Sequence, residues 1–220
     1  MRVLIACEES QEVCKAFRKL GHEAFSCDII PCSGGHPEWH IQGDVLEIIN
    51  SSAFAFKTQS GLSYWYPRID LMIAHPPCTY LSNAAATRLY IKKGVLNKER
   101  YEKGLVAKKF FMSLLNADIP KICVENPIQS TVFKIPKYTQ TIQPFEHGHS
   151  FRKKTCLWLK NLKPLIPTNI ITENITGWVS GGSKDSKGNK RKMSTVNFRN
   201  SKNRSKTFPG IAKAMAEQWG

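Results

Sequence analysis

Residues 70–82 combine a strand-like apolar run with a candidate nucleophile. Leu71–Ala74 has the length of a strand that is buried in a parallel sheet. Pro76 and Pro77 end this run, because proline cannot donate to a sheet ladder, and they place Cys78 just beyond the carboxyl end of the strand. Ligands of open α/β sheets bind at that edge, where a thiol with a lowered pKa can attack an electrophile. The alternative is a buried free cysteine without chemistry.

A carboxylate follows a second apolar run in the same way. Residues 121–124 predict another buried strand, and Glu125, Asn126 and Pro127 come directly after it. If the two strands are neighbours, Glu125 lies beside Cys78 at the same sheet edge. A partly buried glutamate has a raised pKa and can deliver a proton, which favours a catalytic acid. A helix-capping or salt-bridged Glu125 is the structural alternative.

The N-terminal segment predicts a β-α-β unit. Residues 2–6 predict a strand, apolar spacing predicts a helix over 13–20 with Ser10 as its N-cap, and residues 22–27 predict a second strand. The handedness of such crossovers implies a parallel sheet. Asp28 closes the second strand, which is where dinucleotide-type folds bind a ribose hydroxyl.

The turn after the first strand is acidic and lacks glycine. Residues 7–10 are Cys-Glu-Glu-Ser, and carboxylates there repel a pyrophosphate, so NAD and ATP are poor candidates. A cofactor with a cationic sulfonium and an amino group tolerates Glu8 and Glu9. Asp44 adds a carboxylate near the same edge, unless it simply caps the helix expected from Leu46.

The formal net charge of +15 points to a polyanionic partner. Between positions 184 and 206 the sequence contains nine lysines and arginines and only one acidic residue. The same stretch is rich in Gly, Ser and Asn. This composition predicts a flexible basic segment suited to a phosphate backbone, with a solvated loop as the alternative.

The length of 220 residues predicts a single domain over 1–220 with a basic flexible insert at about 177–206. Seven cysteines, spread singly, argue against a disulfide framework and for a reducing compartment. Cys27, Cys32, His36 and His40 have only a loose zinc-ligand spacing, so no metal is expected. The sequence has neither a signal-peptide pattern nor an apolar run of about 18 residues, so a soluble cytoplasmic protein without membrane contact is expected.

Other stretches of the sequence predict further helices, a strand and loops. Residues 98–116 predict a helix with a core face, residues 155–159 a strand with a basic entrance and residues 209–219 a short amphipathic helix. Residues 51–68, with Tyr-Trp-Tyr at 64–66, predict a surface loop or a packing insert, and residues 83–97 predict a mobile basic loop.

Together these motifs resemble the cytosine-5 DNA methyltransferase family, in a compact form like those of phage genomes. The resemblance follows the family's motif order and covers nearly the whole chain. Pro76-Pro77-Cys78-Thr-Tyr-Leu-Ser82 resembles the nucleophile loop, and Glu125-Asn126-Pro127 resembles the Glu-Asn-Val proton-donor motif. The other matching segments are Gly43-Asp44-Val45 for the cofactor adenine, Asp28 for the ribose, Ser150–Lys154 for the Gln-x-Arg-x-Arg strand entrance, and Thr207–Ile211 for the last motif.

The resemblance implies an α/β, Rossmann-like fold of the S-adenosylmethionine-dependent methyltransferases, with a mostly parallel sheet and helices on both faces. It implies methyl transfer from S-adenosylmethionine to cytosine in DNA through a Cys78 thiolate adduct, with Glu125 acting at N3 and Arg152 holding O2 or a phosphate. The implied cofactor-binding residues are Ala6, Cys7, Glu8, Glu9, Ser10, Asp28, Asp44, Val45, His75 and Pro76. The implied nucleic-acid-binding residues are Arg88, Lys154, Lys190, Arg191, Lys192, Arg199 and Arg204. The implied location is the cytoplasm of a bacterial or phage-infected cell.

The sequence departs from the family pattern in several places. The first turn lacks the family's glycines, Pro127 replaces an aliphatic residue, and Pro209-Gly210 replaces Asn-Ser. Only about fifty residues separate Lys154 from the last motif, too few for the usual target-recognition domain. Two other functions therefore stay open: the same chemistry on a free nucleotide or RNA, and an inactive methyltransferase-like module that binds DNA or a host protein.

Overall fold

The computed structural model describes residues 1–51, 53–92, 94–175, 177–178 and 201–220. Its strands are β1 Arg2–Ala6, β2 Glu23–Asp28, β3 His40–Gln42, β4 Phe54–Lys57, β5 Ser63–Tyr66, β6 Leu71–Ala74, β7 Tyr90–Lys92, β8 Val95–Leu96, β9 Lys121–Pro127, β10 Gln140–Ile142, β11 Phe151–Arg152, β12 Thr155–Lys160 and β13 Gly177–Trp178. Its α-helices are α1 Glu12–Lys19, α2 Val45–Ile49, α3 Asn83–Ala86, α4 Lys98–Leu115, α5 Ser201–Ser205 and α6 Pro209–Trp219. Most of the predicted basic segment lies outside the described residues.

Seven strands form one sheet in the order β10-β12-β9-β6-β1-β2-β3. Strands β9, β6, β1, β2 and β3 are parallel, and β12 is antiparallel to both of its neighbours. The chain runs from β1 outward to β2 and β3 and then crosses to β6 on the other side of β1. Such a reversal opens a crevice at the carboxyl ends of β1 and β6, where ligands bind in open α/β sheets. The predicted mixed α/β fold with a mostly parallel sheet is confirmed.

Apolar residues of the sheet alternate between two cores, one on each face. One core includes Leu4, Ala6, Ile48 of α2 and Phe111 of α4. The other core includes Val3, Ile5, Phe17 of α1 and Met215 of α6. Helices therefore cover both faces of the sheet, as predicted.

The start of helix α1 differs from the prediction. Its N-cap residue is Gln11, in a left-handed conformation with φ of 60°, and not Ser10. The Glu8 carboxylate accepts hydrogen bonds from the backbone amides of Val13 at 2.7 Å and Cys14 at 3.2 Å. These amides have no partner within the helix, and a carboxylate suits the positive end of the helix dipole. A long side chain from the preceding turn thus replaces the expected serine cap.

Two segments predicted as loops contain regular structure. Strands β4 and β5 form an antiparallel hairpin within residues 51–68. Tyr64 and Tyr66 pack around Phe25, whereas Trp65 between them is 64% exposed. This alternation is the period-two pattern of a strand, which three successive aromatic residues conceal. Residues 83–97 contain α3 and the β7–β8 hairpin.

In the part of the chain that the structure describes, no helix combines the length and the apolar character needed to cross a membrane. That residues 1–220 form a single domain stays a prediction.

Candidate active site

Cys78 lies on an exposed loop whose main chain is held from two sides. The buried Asn126 of β9 donates from Nδ2 to the Pro76 carbonyl oxygen at 2.7 Å. Arg100 of α4 donates from Nη2 to the Thr79 carbonyl oxygen at 2.9 Å. The loop around the thiol is therefore fixed by elements on either side of it.

The pKa of the Cys78 thiol lies above its ordinary value. Protein atoms that shield the sulfur from water raise this pKa, and the Glu125 carboxylate raises it further. A hydrogen bond with the main chain of Cys78 itself and the Lys153 ammonium lower the pKa, but they do not outweigh burial. The thiol is thus protonated at neutral pH, and reaction as a thiolate requires the loss of its proton.

Glu125 lies beside this loop because β6 and β9 are adjacent parallel strands. His75 follows β6, and its Nδ1 lies 2.9 Å from Oε2 of Glu125. The Thr207 hydroxyl also donates to Oε2 at 3.4 Å. The two side chains of the pair are only 13% and 11% exposed, so His75 and Glu125 form a nearly buried ion pair.

The direction of the Glu125 pKa corrects the sequence-based expectation. Burial raises the pKa of Glu125, but the charge and hydrogen bond of His75 outweigh burial and lower it well below its ordinary value, with help from Lys153 and Thr207. Burial in turn lowers the pKa of His75, and the hydrogen bond and charge of Glu125, with Glu8, raise it overall. Glu125 therefore takes part in a salt bridge with His75, and its role as a catalytic acid stays a prediction.

A basic residue near the site that sequence reasoning did not single out is Lys153. Arg152 is exposed, whereas Lys153 is half-buried, and its ammonium donates to the Lys206 carbonyl oxygen at 3.4 Å. Lys153 lowers the pKa values of both Cys78 and Glu125, so its charge is close to both. Residues two apart in an extended chain share a face, and the buried Thr155 two positions on could have indicated Lys153. The role assigned to Arg152 stays a prediction.

The two acids of the first turn have different surroundings. Glu8 is 5% exposed and binds the amides of α1, so its carboxylate is committed to the helix. Glu9 is half-buried, accepts a hydrogen bond from the Ser33 hydroxyl and contributes to raising the pKa of Asp28. The Glu9 side chain therefore lies in the surroundings of Asp28, whereas helix α1 holds the Glu8 side chain.

A second group of predicted residues meets at the ends of β1, β2 and β3. The Gly43 amide donates to the Asp28 carbonyl oxygen at 2.9 Å, which joins the β2 end to the turn before α2. Burial raises the pKa of Cys7, and the charges of Asp28 and Asp44 raise it further, so these three residues lie near one another. Asp44 accepts from the Leu46 amide at 2.9 Å and caps α2, the alternative considered from sequence.

Four other predicted cofactor-binding residues have buried side chains. They are Ala6, Ser10, Val45 and Pro76. Little of their surface is therefore accessible, and their role in cofactor binding stays a prediction. Next to Asp28, in contrast, Ile29 and Ile30 are 74% and 45% exposed and offer an apolar surface.

The predicted nucleic-acid-binding residues are only partly described. Arg88 and Lys154 are exposed, and Arg204 in α5 is half-buried. Lys190, Arg191, Lys192 and Arg199 lie outside the described residues.

The two histidines of the possible zinc-ligand pattern, His36 and His40, form other contacts. His40 contacts the Ser26 hydroxyl through Nδ1 and the Ile30 carbonyl through Nε2. His36 stacks on Trp39 with ring centroids 3.8 Å apart. Among the described residues, no three His, Cys, Asp or Glu side chains are grouped as metal ligands would be.

Comparisons with known proteins give a structural likeness only. No family model matches the sequence, and no curated protein matches it. One similar solved structure is a crystal structure of a candidate DNA modification methyltransferase encoded within an E. coli prophage. The identity is 13% and the TM-score 0.42, over 78% of this chain and 52% of the other. The chain thus spans about half the length of that structure.

Proposed function

We propose that this protein is a DNA methyltransferase that transfers a methyl group from S-adenosylmethionine to C5 of cytosine, with Cys78 as the nucleophile. The observation that supports this most is the pairing of β6 with β9, which brings the Cys78 loop and the Glu125 carboxylate to one end of adjacent strands. The hydrogen bond from Asn126 to the Pro76 carbonyl holds that loop against β9. A thiol and a carboxyl group that share a sheet edge at a topological switch point are suited to addition chemistry on a bound base.

The residues at the ends of β1 and β2 fit the proposed cofactor. Asp28 is suited to the ribose hydroxyls, and the exposed Ile29 and Ile30 to the flat adenine. The sulfonium and amino groups are cationic, and Glu9 beside Asp28 offers them a carboxylate. Glu8 is excluded from this role by its bonds to helix α1. When bound, the cofactor supplies an electrophilic methyl group.

The protein's own groups account for the rest of the reaction. C5 of cytosine is a poor nucleophile until a sulfur–carbon bond forms between Cys78 and C6 and N3 takes up a proton. Glu125 is positioned to act at N3, and Lys153 stabilises negative charge near the thiol. After C5 has taken the methyl group, the C5 proton leaves and the bond between Cys78 and C6 breaks. A base within a duplex is out of reach of this loop, so the nucleotide is flipped out or already single-stranded.

Methyl transfer from labelled cofactor tests the proposal, with duplex DNA, single-stranded DNA, RNA and dCMP compared in parallel. We expect transfer to DNA, its loss in Cys78→Ala, and unchanged activity in the control Cys32→Ala, whose thiol is also accessible. Glu125→Gln should lower the rate by on the order of 10² to 10⁴. A DNA with 5-fluorocytosine should leave a covalent adduct on Cys78, detected by mass spectrometry, because fluorine cannot depart as a proton does.

The outcomes separate the competing functions. Full activity of Cys78→Ala refutes the mechanism. Transfer to dCMP or RNA in preference to DNA changes the substrate class, in line with the short span after Lys154. DNA binding by a wild type that forms neither product nor adduct instead supports an inactive binding module.

A further inference from the structure

We propose that His75 supplies the proton that Glu125 delivers to N3 of the bound pyrimidine. The inference rests on the proposed function, because it assigns a proton source to the acid of that same site. His75 contacts Glu125 and not the substrate, so it is a positioning and proton-supplying residue.

The contacts of the His75 imidazole leave Glu125 as its principal partner. The distance from Nδ1 of His75 to Oε2 of Glu125 is 2.9 Å. The other ring nitrogen, Nε2, is buried and has no hydrogen-bond partner in the described part of the chain. The His75 amide donates to the Ala6 carbonyl oxygen at 2.9 Å, which fixes the residue at the end of β6. The ring is thus held in place with one nitrogen directed at the carboxylate.

The charges around His75 favour its protonated form. Glu125 approaches from β9 and Glu8 from the turn after β1, and both raise the pKa of His75. Lys153, from the segment before β12, opposes them, as does burial, but the net effect is a raised pKa. The 2.9 Å contact between Nδ1 and Oε2 and the raised pKa of His75 thus favour a pair that holds one proton, as an imidazolium beside a carboxylate.

One proton is what the reaction requires at N3. Glu125 alone cannot carry it, because the pKa of this carboxyl group is lowered and the group is ionised at neutral pH. Transfer from Nδ1 of His75 to Oε2 of Glu125 converts two buried charges into two neutral groups. A pyrimidine that excludes water from the site favours this neutral form, since desolvation penalises the charged forms. Rotation of the carboxyl group then presents its proton to N3.

The proton balance closes with solvent as the only other partner. The Cys78 thiol releases its proton to solvent when the thiolate forms and takes one up again after the sulfur–carbon bond has broken. Uptake of the proton by N3 leaves Glu125 as a carboxylate and His75 as a neutral imidazole. When the sulfur–carbon bond breaks, N3 returns the proton to Glu125 and His75. The C5 proton is released to solvent as the net product of methylation.

The test compares His75→Gln with His36→Gln. His36 forms a similar pair with Glu38, also at 2.9 Å, but on the surface, where both side chains are 38% exposed. We expect His75→Gln to lower the rate at pH 7.5 by on the order of 10² or more, with little change in cofactor affinity. Its rate relative to the wild type should rise about tenfold per unit as the pH falls towards the range in which an unpaired carboxyl group binds its own proton. The rate of His36→Gln relative to the wild type should stay constant through neutral pH.

A spectroscopic measurement makes the test independent of activity. Nitrogen chemical shifts of the His75 ring should report a protonated imidazole at pH 7.5 in the wild type and a neutral one in Glu125→Gln. This measurement stands even if His75→Gln does not fold. A neutral His75 in the wild type, or a rate profile of His75→Gln that runs parallel to the wild type, overturns the inference. A third outcome is a wild type that transfers no methyl group but has a charged His75 whose charge depends on Glu125. This outcome contradicts the proposed function and the delivery of the proton, and it supports only the ion pair.

Discussion

At the scale of single residues, adjacent acids in one turn have separate tasks. The Glu8 carboxylate is buried and binds the amides of Val13 and Cys14, whereas Glu9 is half-buried beside Asp28. Burial raises the pKa of Glu8 to about 7, although His75 and the two amides oppose this rise. Glu8 therefore stabilises the fold, and we propose Glu9 as the acid that binds the cofactor. The sequence shows only two adjacent glutamates after a strand, so it could not distinguish their roles.

Replacing each acid by alanine should separate stability from cofactor binding. Glu8→Ala removes the acceptor for two helix amides and should lower the free energy of unfolding by about 1–2 kcal/mol in urea titrations. The pKa of Glu8 in the folded state lies above its ordinary value of 4.5. Its contribution to the free energy of unfolding is therefore full below pH 4.5 and is lost as the pH rises through about 7. The loss in Glu8→Ala should thus be larger at pH 5 than at pH 8.

Glu9→Ala is the matched variant for this pair. It removes the acceptor of the Ser33 hydroxyl and should lower the free energy of unfolding by less than Glu8→Ala does, while it weakens the binding of S-adenosylmethionine in calorimetry. Unchanged cofactor affinity in Glu9→Ala, or unchanged stability in Glu8→Ala, would contradict this division of roles.

At the scale of elements, apolar runs predicted the strands that build the site. The runs of β1, β6 and β9 are continuous and buried on both faces, and such runs are legible in a sequence. Strands β3 and β10 have three residues each and no such run, so they were missed. The Cys78 loop and Glu125 could be placed at one edge from strand order. The ion pair with His75 could not, because contacts between side chains of different strands leave no local signal.

The choice between Arg152 and Lys153 shows a second limit. In an extended chain, neighbouring side chains point to opposite faces. A motif assignment that is displaced by one position therefore selects a side chain that points to solvent and not to the site. The motif assignment selected Arg152 and Lys154, and both are exposed. Lys153 between them is the residue whose charge acts on Cys78 and Glu125.

One helix contact secures the segment that follows β9. Gly104 of α4 lies against Phe133, and a Cβ atom at position 104 would be 2.1 Å from Cζ of that ring. Phe133 is 3% exposed and stacks on Tyr101 with ring centroids 5.6 Å apart. Since no room exists for a methyl group, the glycine is required by packing and not by its own backbone freedom.

Gly104→Ala should therefore destabilise the protein although alanine is the better helix former. Overpacking costs about 1–3 kcal/mol, whereas the gain in helix propensity is about 1 kcal/mol. Val106→Ala in the same helix is the control, because Val106 is 70% exposed and its replacement should be neutral or slightly stabilising. The measurement is the free energy of unfolding of both variants and the wild type in urea titrations. A Gly104→Ala variant as stable as the wild type would show that the ring moves away freely.

At the scale of the whole molecule, the topology ties the basic segment to the site at both ends. Before it, β13 pairs with β11, which contains Arg152. After it, Thr207 donates to Glu125. The described residues on either side of the basic segment thus belong to elements next to the site. We propose that the nine positive charges between positions 184 and 206 contact a polyanion that is bound there.

Binding to DNA should consequently weaken steeply with salt and depend on this segment. If about five of the nine charges meet phosphates, log affinity falls with log salt at a slope of about −4. If Lys190, Arg191 and Lys192 are three of these five, replacing them by glutamine removes three contacts, and the slope should become shallower by about 3. The control replaces Lys15, Lys19 and Lys213 of α1 and α6, which changes the net charge equally and should keep the slope. Affinities from fluorescence anisotropy at several salt concentrations test this. Equal slopes in both triple variants would mean that net charge, and not the basic segment, attracts the DNA.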